Sequence, residues 1–264
     1  MKTMTADSGR ERTTVSVTSE DFLQHIRAVI DRVGTGQAAG KRKAAELLAA
    51  TVRNGGVIQA FGCGHSEALA MEIAGRAGGL VPTNRIALRD VVLYGGDPLE
   101  VLADPMVERD PAIAHRLYGL APVKPDDAFV IASNSGINGA VVEMALLVKE
   151  RGHALIAITS AEHSAGVESR HPSGRKLGEI ADVVLDNGAP YGDAALALPG
   201  GGAVGAVSSI TAALLAQQII TEVVAKLLAD GVTPPVYHSD NVPGGKEHNA
   251  ELEARYAGRI RRTA

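Results

Sequence analysis

Two glycine-bracketed polar clusters each follow a short apolar run. Gly62-Cys63-Gly64-His65-Ser66-Glu67 comes after residues 57–61, and Ser133-Asn134-Ser135-Gly136-Ile137-Asn138 comes after residues 129–132. An apolar helical run, 140–148, begins just past the second cluster. The first N–H groups of such a helix lack intrahelical partners, and its dipole adds partial positive charge there. Ser133, Ser135 and Asn138 add side-chain donors, and Asn134 and Gly136 complete a turn shaped for a phosphate group. An ordinary helix cap would use the same residue types. A second polar turn at the same edge favours the pocket over the cap.

That second turn supplies the other expected contacts. Glycines let a ligand approach the backbone closely, and His65 and Ser66 present donors across the strand ends. Gly64, Ser66 and Glu67 are the expected substrate-binding residues of this turn. Glu72 lies seven residues after His65 and shares its helix face. A carboxylate there suits proton abstraction next to a sugar carbonyl. The competing reading is an i,i+4 ion pair with Arg76 on a solvated face. Cys63 reads as a small apolar filler.

Other chemistry is less well supported. The run 200–205 has the letters of a dinucleotide fingerprint, but residues 194–198 are too short and Ala-rich for the strand it needs. A flexible entry to the following helix is expected there instead. No histidine spacing suggests a zinc site, so neither metal nor cofactor is expected. His238 or His248, from the polar tail, is expected to close over the pocket. Ser160 and Ser164 lack the glycine-flanked elbow of a hydrolase nucleophile.

These residues need a scaffold. Residues 1–17 read as a flexible arm, and 18–264 as one domain. Helices are expected from about 19 to 33 and 38 to 53, with strands at 57–61, within 80–88, at 129–132, 154–159 and 181–185. A helix running to about 78 follows the first turn. Residues 91–120 read as irregular, and 204–228 as the longest apolar helix. Strands alternating with helices predict an α/β three-layer αβα sandwich around a parallel sheet of about five strands, with helical extensions at both termini. In such sheets ligands bind at the carboxyl ends of strands, where both turns fall.

Composition narrows the partners. Aromatic residues make up 3% of the chain with no Trp, which argues against stacking platforms for bases. A net charge of −4 and a pI near 6.1 give no pull toward nucleic acid or an anionic membrane. The single cysteine fits a reducing compartment, and no signal core or membrane-spanning run is evident, so a cytoplasmic protein is expected.

Taken together, the segments 62–66, 133–136 and 152–160 resemble the SIS (sugar isomerase) domain family over about residues 38–228. The chain looks most like a group of bacterial single-SIS proteins that share the tail type seen at 239–245 and His248-Asn249. The resemblance implies a sheet of about five parallel strands and a phosphosugar held by the serine-rich turn. It also implies a homodimer or tetramer whose subunits share the active site. Residues 72–76 look like the segment carrying the catalytic Glu of phosphoheptose isomerase. The long helix lacks the His that enzyme uses there, offering Gln217, Gln218 and Glu222 instead. N-acetylmuramic acid 6-phosphate etherase, a lyase relative, also carries a Glu after its first turn. The expected substrate is therefore an aminosugar 6-phosphate such as N-acetylglucosamine 6-phosphate. Glu72 would remove the C2 proton, and His65 or His238 would act as acid, leading to dehydration or epimerisation. Aldose–ketose isomerisation is one alternative, and a non-catalytic phosphosugar sensor is another.

Overall fold

The computed structural model describes residues 17–262, so the expected arm lies outside the described residues except for Val17. Ten helices and seven strands are formed by these residues: α1 Ser19–Thr35, α2 Ala38–Arg53, β1 Ile58–Gly62, α3 Glu67–Ile73, β2 Thr83–Ile86, α4 Asp90–Leu93, α5 Ala112–Leu120, β3 Ala128–Ala132, α6 Gly139–Glu150, β4 Ala154–Thr159, α7 Ala161–Ala165, α8 Leu177–Ile180, β5 Val183–Asp186, β6 Ala194–Ala197, β7 Ala203–Ala206, α9 Ser208–Ala229 and α10 Gly245–Ala254. β1 to β5 form one parallel sheet in the order β2-β1-β3-β4-β5. The expected αβα sandwich is what forms.

The central strands are buried on both faces, and their alternation divides the core in two. Ala128, Val130 and Ala132 of β3, with Ile156 and Ile158 of β4, pack under α1, α2, α3 and α9. Phe129 and Ile131, with Leu155 and Ala157, pack under α5 and α6 on the other face. Such continuous apolar strands belong to parallel sheets covered on both sides. By length and hydropathy α9 could cross a membrane. Its Leu215, Ile219, Val223 and Leu227 are instead buried in the core shared with α1, α2 and α3.

Sequence and structure part company in three places. The helix after the first turn stops at Ile73 rather than near 78, because Ala74 is extended and Gly75 and Gly78 turn left-handed. Gly78 then donates to the Tyr237 carbonyl at 2.9 Å, tying this corner to the tail. Residues 91–120, read as irregular, hold α4, two short 3₁₀ turns and α5. The run 200–205 is no helix entry. β6 and β7 pair as an exposed antiparallel hairpin, and α9 starts only at Ser208. Asp193, at φ +67°, sets that start by accepting from the Ser208 N–H at 2.7 Å and its hydroxyl at 2.7 Å.

The amino ends of the strands are closed by the C-terminal segment. Asp127 has a fully buried side chain and accepts from the N–H groups of Val57 and Lys124, from the Gln59 amide and from Arg259 at 2.5 Å. Arg262 adds hydrogen bonds to the carbonyls of Val81 and Thr83.

A second polar cluster pins the 166–176 loop to α6. His115 and His171 donate through Nε2 to the two Glu143 oxygens at 2.7 and 2.6 Å. Partial burial raises the Glu143 carboxyl, and the two hydrogen bonds more than reverse this, leaving it below its ordinary 4.5. A depressed folded-state value means stability that is present above the unfolded value and lost as pH falls through the folded one. Glu143→Gln should therefore flatten the decline in melting temperature below pH 4.5 relative to the unsubstituted chain. Identical slopes in thermal melts across that range would refute the assignment.

Candidate functional site

Both polar turns emerge at the carboxyl ends of neighbouring strands, β1 and β3. Close packing fixes each of them. A Cβ on Gly62 would stand 2.4 Å from the Ser66 carbonyl oxygen, so only glycine lets the 3₁₀ turn Gly64–Ser66 fold back on its strand. A Cβ on Gly139 would stand 2.1 Å from the Arg109 carbonyl oxygen, so the start of α6 is backed directly by the 107–111 segment.

The second turn leaves much of its hydrogen-bonding capacity unspent. The Ser133 oxygen accepts from the Gly136 N–H at 3.1 Å, which frees its own hydrogen to donate. Among the described residues the Ser135 hydroxyl and the N–H groups of Ser135 and Asn138 have no partner. Asn138 is the N-cap residue of α6 but does not cap it. Its amide nitrogen donates to Glu108 at 2.8 Å, and its oxygen accepts from Arg170 at 3.0 Å. A helix of 12 residues thus opens uncapped beside a serine pair, an arrangement that suits an anion.

A small pocket of about 10 Å³ joins the two turns to the start of α9, lined by His65, Ser66, Leu69, Ser133, Asn134, Asn187, Ser208 and Ser209 among others. Asn134 is oriented on both sides. Its oxygen accepts from the buried Asn187 amide at 3.1 Å, and its nitrogen donates to His163 Nδ1 at 3.3 Å. The Gly192 N–H also donates to that nitrogen, which places the His163 proton on Nε2.

The expected residues divide accordingly. His65, Ser66, Ser133 and Asn134 share the pocket. Ser135, Gly136 and Asn138 lie on the same turn beyond its lining, with Asn138 turned toward Glu108. Gly64 faces Glu108 too, at φ +56° and with its Cβ position 3.8 Å from a Glu108 oxygen. Glu67 is instead paired with Arg89 and, at 3.9 Å, with Arg85, so its charge is already neutralised. Glu72 accepts from Arg76, the i,i+4 pairing weighed above, and from Gln217 of α9 at 2.6 Å. His238 lines a different cleft with Met71, Ala74 and Arg76 at the far end of α3, where it stacks on His248 at 3.7 Å. Cys63 is buried, and burial pushes its thiol up, aided by the nearby Glu108 and Glu67 charges. It is a filler, as expected.

Sequence reasoning missed two side chains. Glu108 stands between the turns, touching Asn138 on one side and facing Gly64 on the other, and forms no ion pair among the described residues. It comes from a segment without periodicity, so nothing local announces it. His163, on α7, is brought to the pocket edge by its contact with Asn134. The described residues contain no cluster of His, Cys, Asp and Glu that could hold a metal ion.

The SIS domain family matches residues 21–160 of this chain. Over 240 residues the chain is 42% identical to a UPF0309 protein of Listeria monocytogenes, covering 90% of this chain and 97% of that one. It is 35% identical over 240 residues to a UPF0309 protein of Geobacillus kaustophilus, covering 90% and 94%. Among solved structures, phosphoheptose isomerase from Neisseria gonorrhoeae superposes with a TM-score of 0.52 at 20% identity, covering 78% of this chain and 96% of that one. A phosphoheptose isomerase from Francisella tularensis gives 0.51 at 16% identity, covering 78% and 100%. At these identities the structures share the fold.

Proposed function

Because the chain belongs to the SIS domain family, we propose that it is a cytoplasmic enzyme that binds a sugar 6-phosphate at the two turns and removes the proton from C2. The observation that carries this reading is the Ser133–Asn138 turn, whose serine donors are unspent at an uncapped helix start beside Glu108, a carboxylate with no ion pair among the described residues. Phosphate fits at Ser133, Ser135 and the first turn of α6. Its oxygens would compete for the Asn138 amide, which in the free protein is held by Glu108. Substrate binding then releases Glu108 at the moment a base is needed. Holding the phosphate also aligns C2 with the base, which is worth far more than the contact itself.

Glu108 takes the base role that the sequence suggested for Glu72, because Glu72 is already engaged by Arg76 and Gln217. His65 in the pocket, or His163 at its edge, serves as the acid. His238, which lines a different cleft of its own chain, would have to come from a second subunit, in a homodimer or tetramer that shares its active site. With a 2-acetamido sugar such as N-acetylglucosamine 6-phosphate, the enolate would lose the C3 hydroxyl or be reprotonated at C2. With a 2-hydroxy sugar it would be reprotonated at C1, giving the ketose.

A panel of aldose and N-acetylamino sugar 6-phosphates incubated with the protein in heavy water, followed by proton NMR, tests this reading. Deuterium at C2 of at least one sugar is expected. Tight binding without exchange for every sugar would replace the enzyme with a phosphosugar sensor, and absence of both would overturn the reading.

A further inference from the structure

The elbow between α1 and α2 packs against α9 around a cavity of about 550 Å³, separate from the pocket between the turns. Lys41 borders it and is only 9% exposed. Its ammonium donates to the Gly34 carbonyl at 2.6 Å and to the Gln218 amide oxygen at 3.2 Å. Both acceptors are neutral, and the third N–H has no partner among the described residues. Glu222, the one acidic residue in the lining, forms no ion pair with Lys41 or with its neighbour Arg42. A buried ammonium without a counter-charge is costly, and such groups are ordinarily paired.

An independent feature adds to the positive potential. α2 has 16 residues, no side-chain cap and no acidic residue in its first turn. Its N-cap residue, Gln37, sits at φ +58° with its amide committed elsewhere, donating to the Asp186 carbonyl at 2.8 Å and accepting from the Asp186 N–H at 2.6 Å. Ala38, the first residue of the helix, lines the same cavity as Lys41 and Arg42. The positive end of a helix, a buried ammonium and a guanidinium thus converge on one space large enough for a small metabolite.

We propose that this elbow binds a small oxyanion, the phosphate or carboxylate group of a metabolite, with Lys41 as its buried counter-charge and Arg42 at the mouth. Gln217 lines the cavity and donates to Glu72 at 2.6 Å. An occupant that takes the Gln217 amide would free Glu72 from α9.

The test uses the Ser133→Ala/Ser135→Ala chain, in which phosphate binding at the turns is weakened. Inorganic phosphate and succinate are titrated by calorimetry, with melting temperature as a second readout. Saturable binding and a raised melting temperature are expected, with tighter phosphate marking a phosphate ester and tighter succinate a carboxylate. Adding Lys41→Met should weaken binding at least about tenfold, the scale of a charge-assisted contact. Arg42→Gln, an exposed change that leaves the fold undisturbed, should weaken it severalfold. Equal binding by all three chains, or no binding by any, would overturn the proposal. If the turns prove not to bind phosphate, the double variant simply behaves as the unsubstituted chain and the elbow is still read.

Discussion

Glu108→Gln should reduce C2 proton exchange by roughly 10²- to 10⁴-fold, the range for removing a positioned general base, while leaving KM nearly unchanged. The carboxylate is expected to act only in the transition state, and the glutamine amide preserves its size. Phosphate binding should persist, because Ser133, Ser135 and the start of α6 are untouched. Glu72→Gln should cost far less, since the Glu72 carboxylate is held by Arg76 and Gln217. Single-turnover exchange in heavy water distinguishes the two variants. Loss of exchange in Glu72→Gln with retention in Glu108→Gln would return the base to α3 and give Glu108 the lesser role of positioning Asn138.

Asp127→Ala should lower folding stability by roughly 3–5 kcal/mol, the cost of breaking a buried pair by removing one partner. The side chain is fully buried and satisfies four donors from three separate stretches of chain: Val57 and Gln59, Lys124, and Arg259. Its removal strands the Arg259 guanidinium, itself only 13% exposed, together with two backbone N–H groups. Arg259→Leu should also be strongly destabilising, because it leaves the fully buried Asp127 carboxylate without that counter-charge. Urea unfolding of both variants provides the check, and a loss under about 1 kcal/mol for Asp127→Ala, the scale of an exposed pair, would refute the role.

How much of this was legible in the sequence follows from the range of the interactions. β3 and α6 were readable because a run of buried apolar residues ends in small polar ones, a local pattern with a local cause. The β6–β7 hairpin was not. Its strands are short, Ala-rich and largely exposed, so no alternation marks them. Glu108 was unreadable for a different reason. It is placed by the Arg109 carbonyl seated on Gly139, a contact between segments that nothing in either segment announces. Glu67 read as a substrate ligand and Glu72 as either a base or the i,i+4 partner of Arg76, and each is paired with arginine. Partners from other elements, Arg89 and Gln217 among them, are beyond the reach of periodicity. Lys41 sits at a helix position that reads as ordinary polar surface, and only the packing of α9 encloses it.

The clasp on Asp127 also has a consequence for biosynthesis. The ribosome makes β1 and β3 long before Arg259 and Arg262 emerge, yet those two side chains close the amino ends of the sheet. A nascent chain stalled before residue 255 would hold a buried carboxylate short of the one cation it pairs with among the described residues. Pulse proteolysis of such stalled chains should find the sheet labile until the clasp has left the exit tunnel, so this fold is sealed after translation has passed it rather than strand by strand.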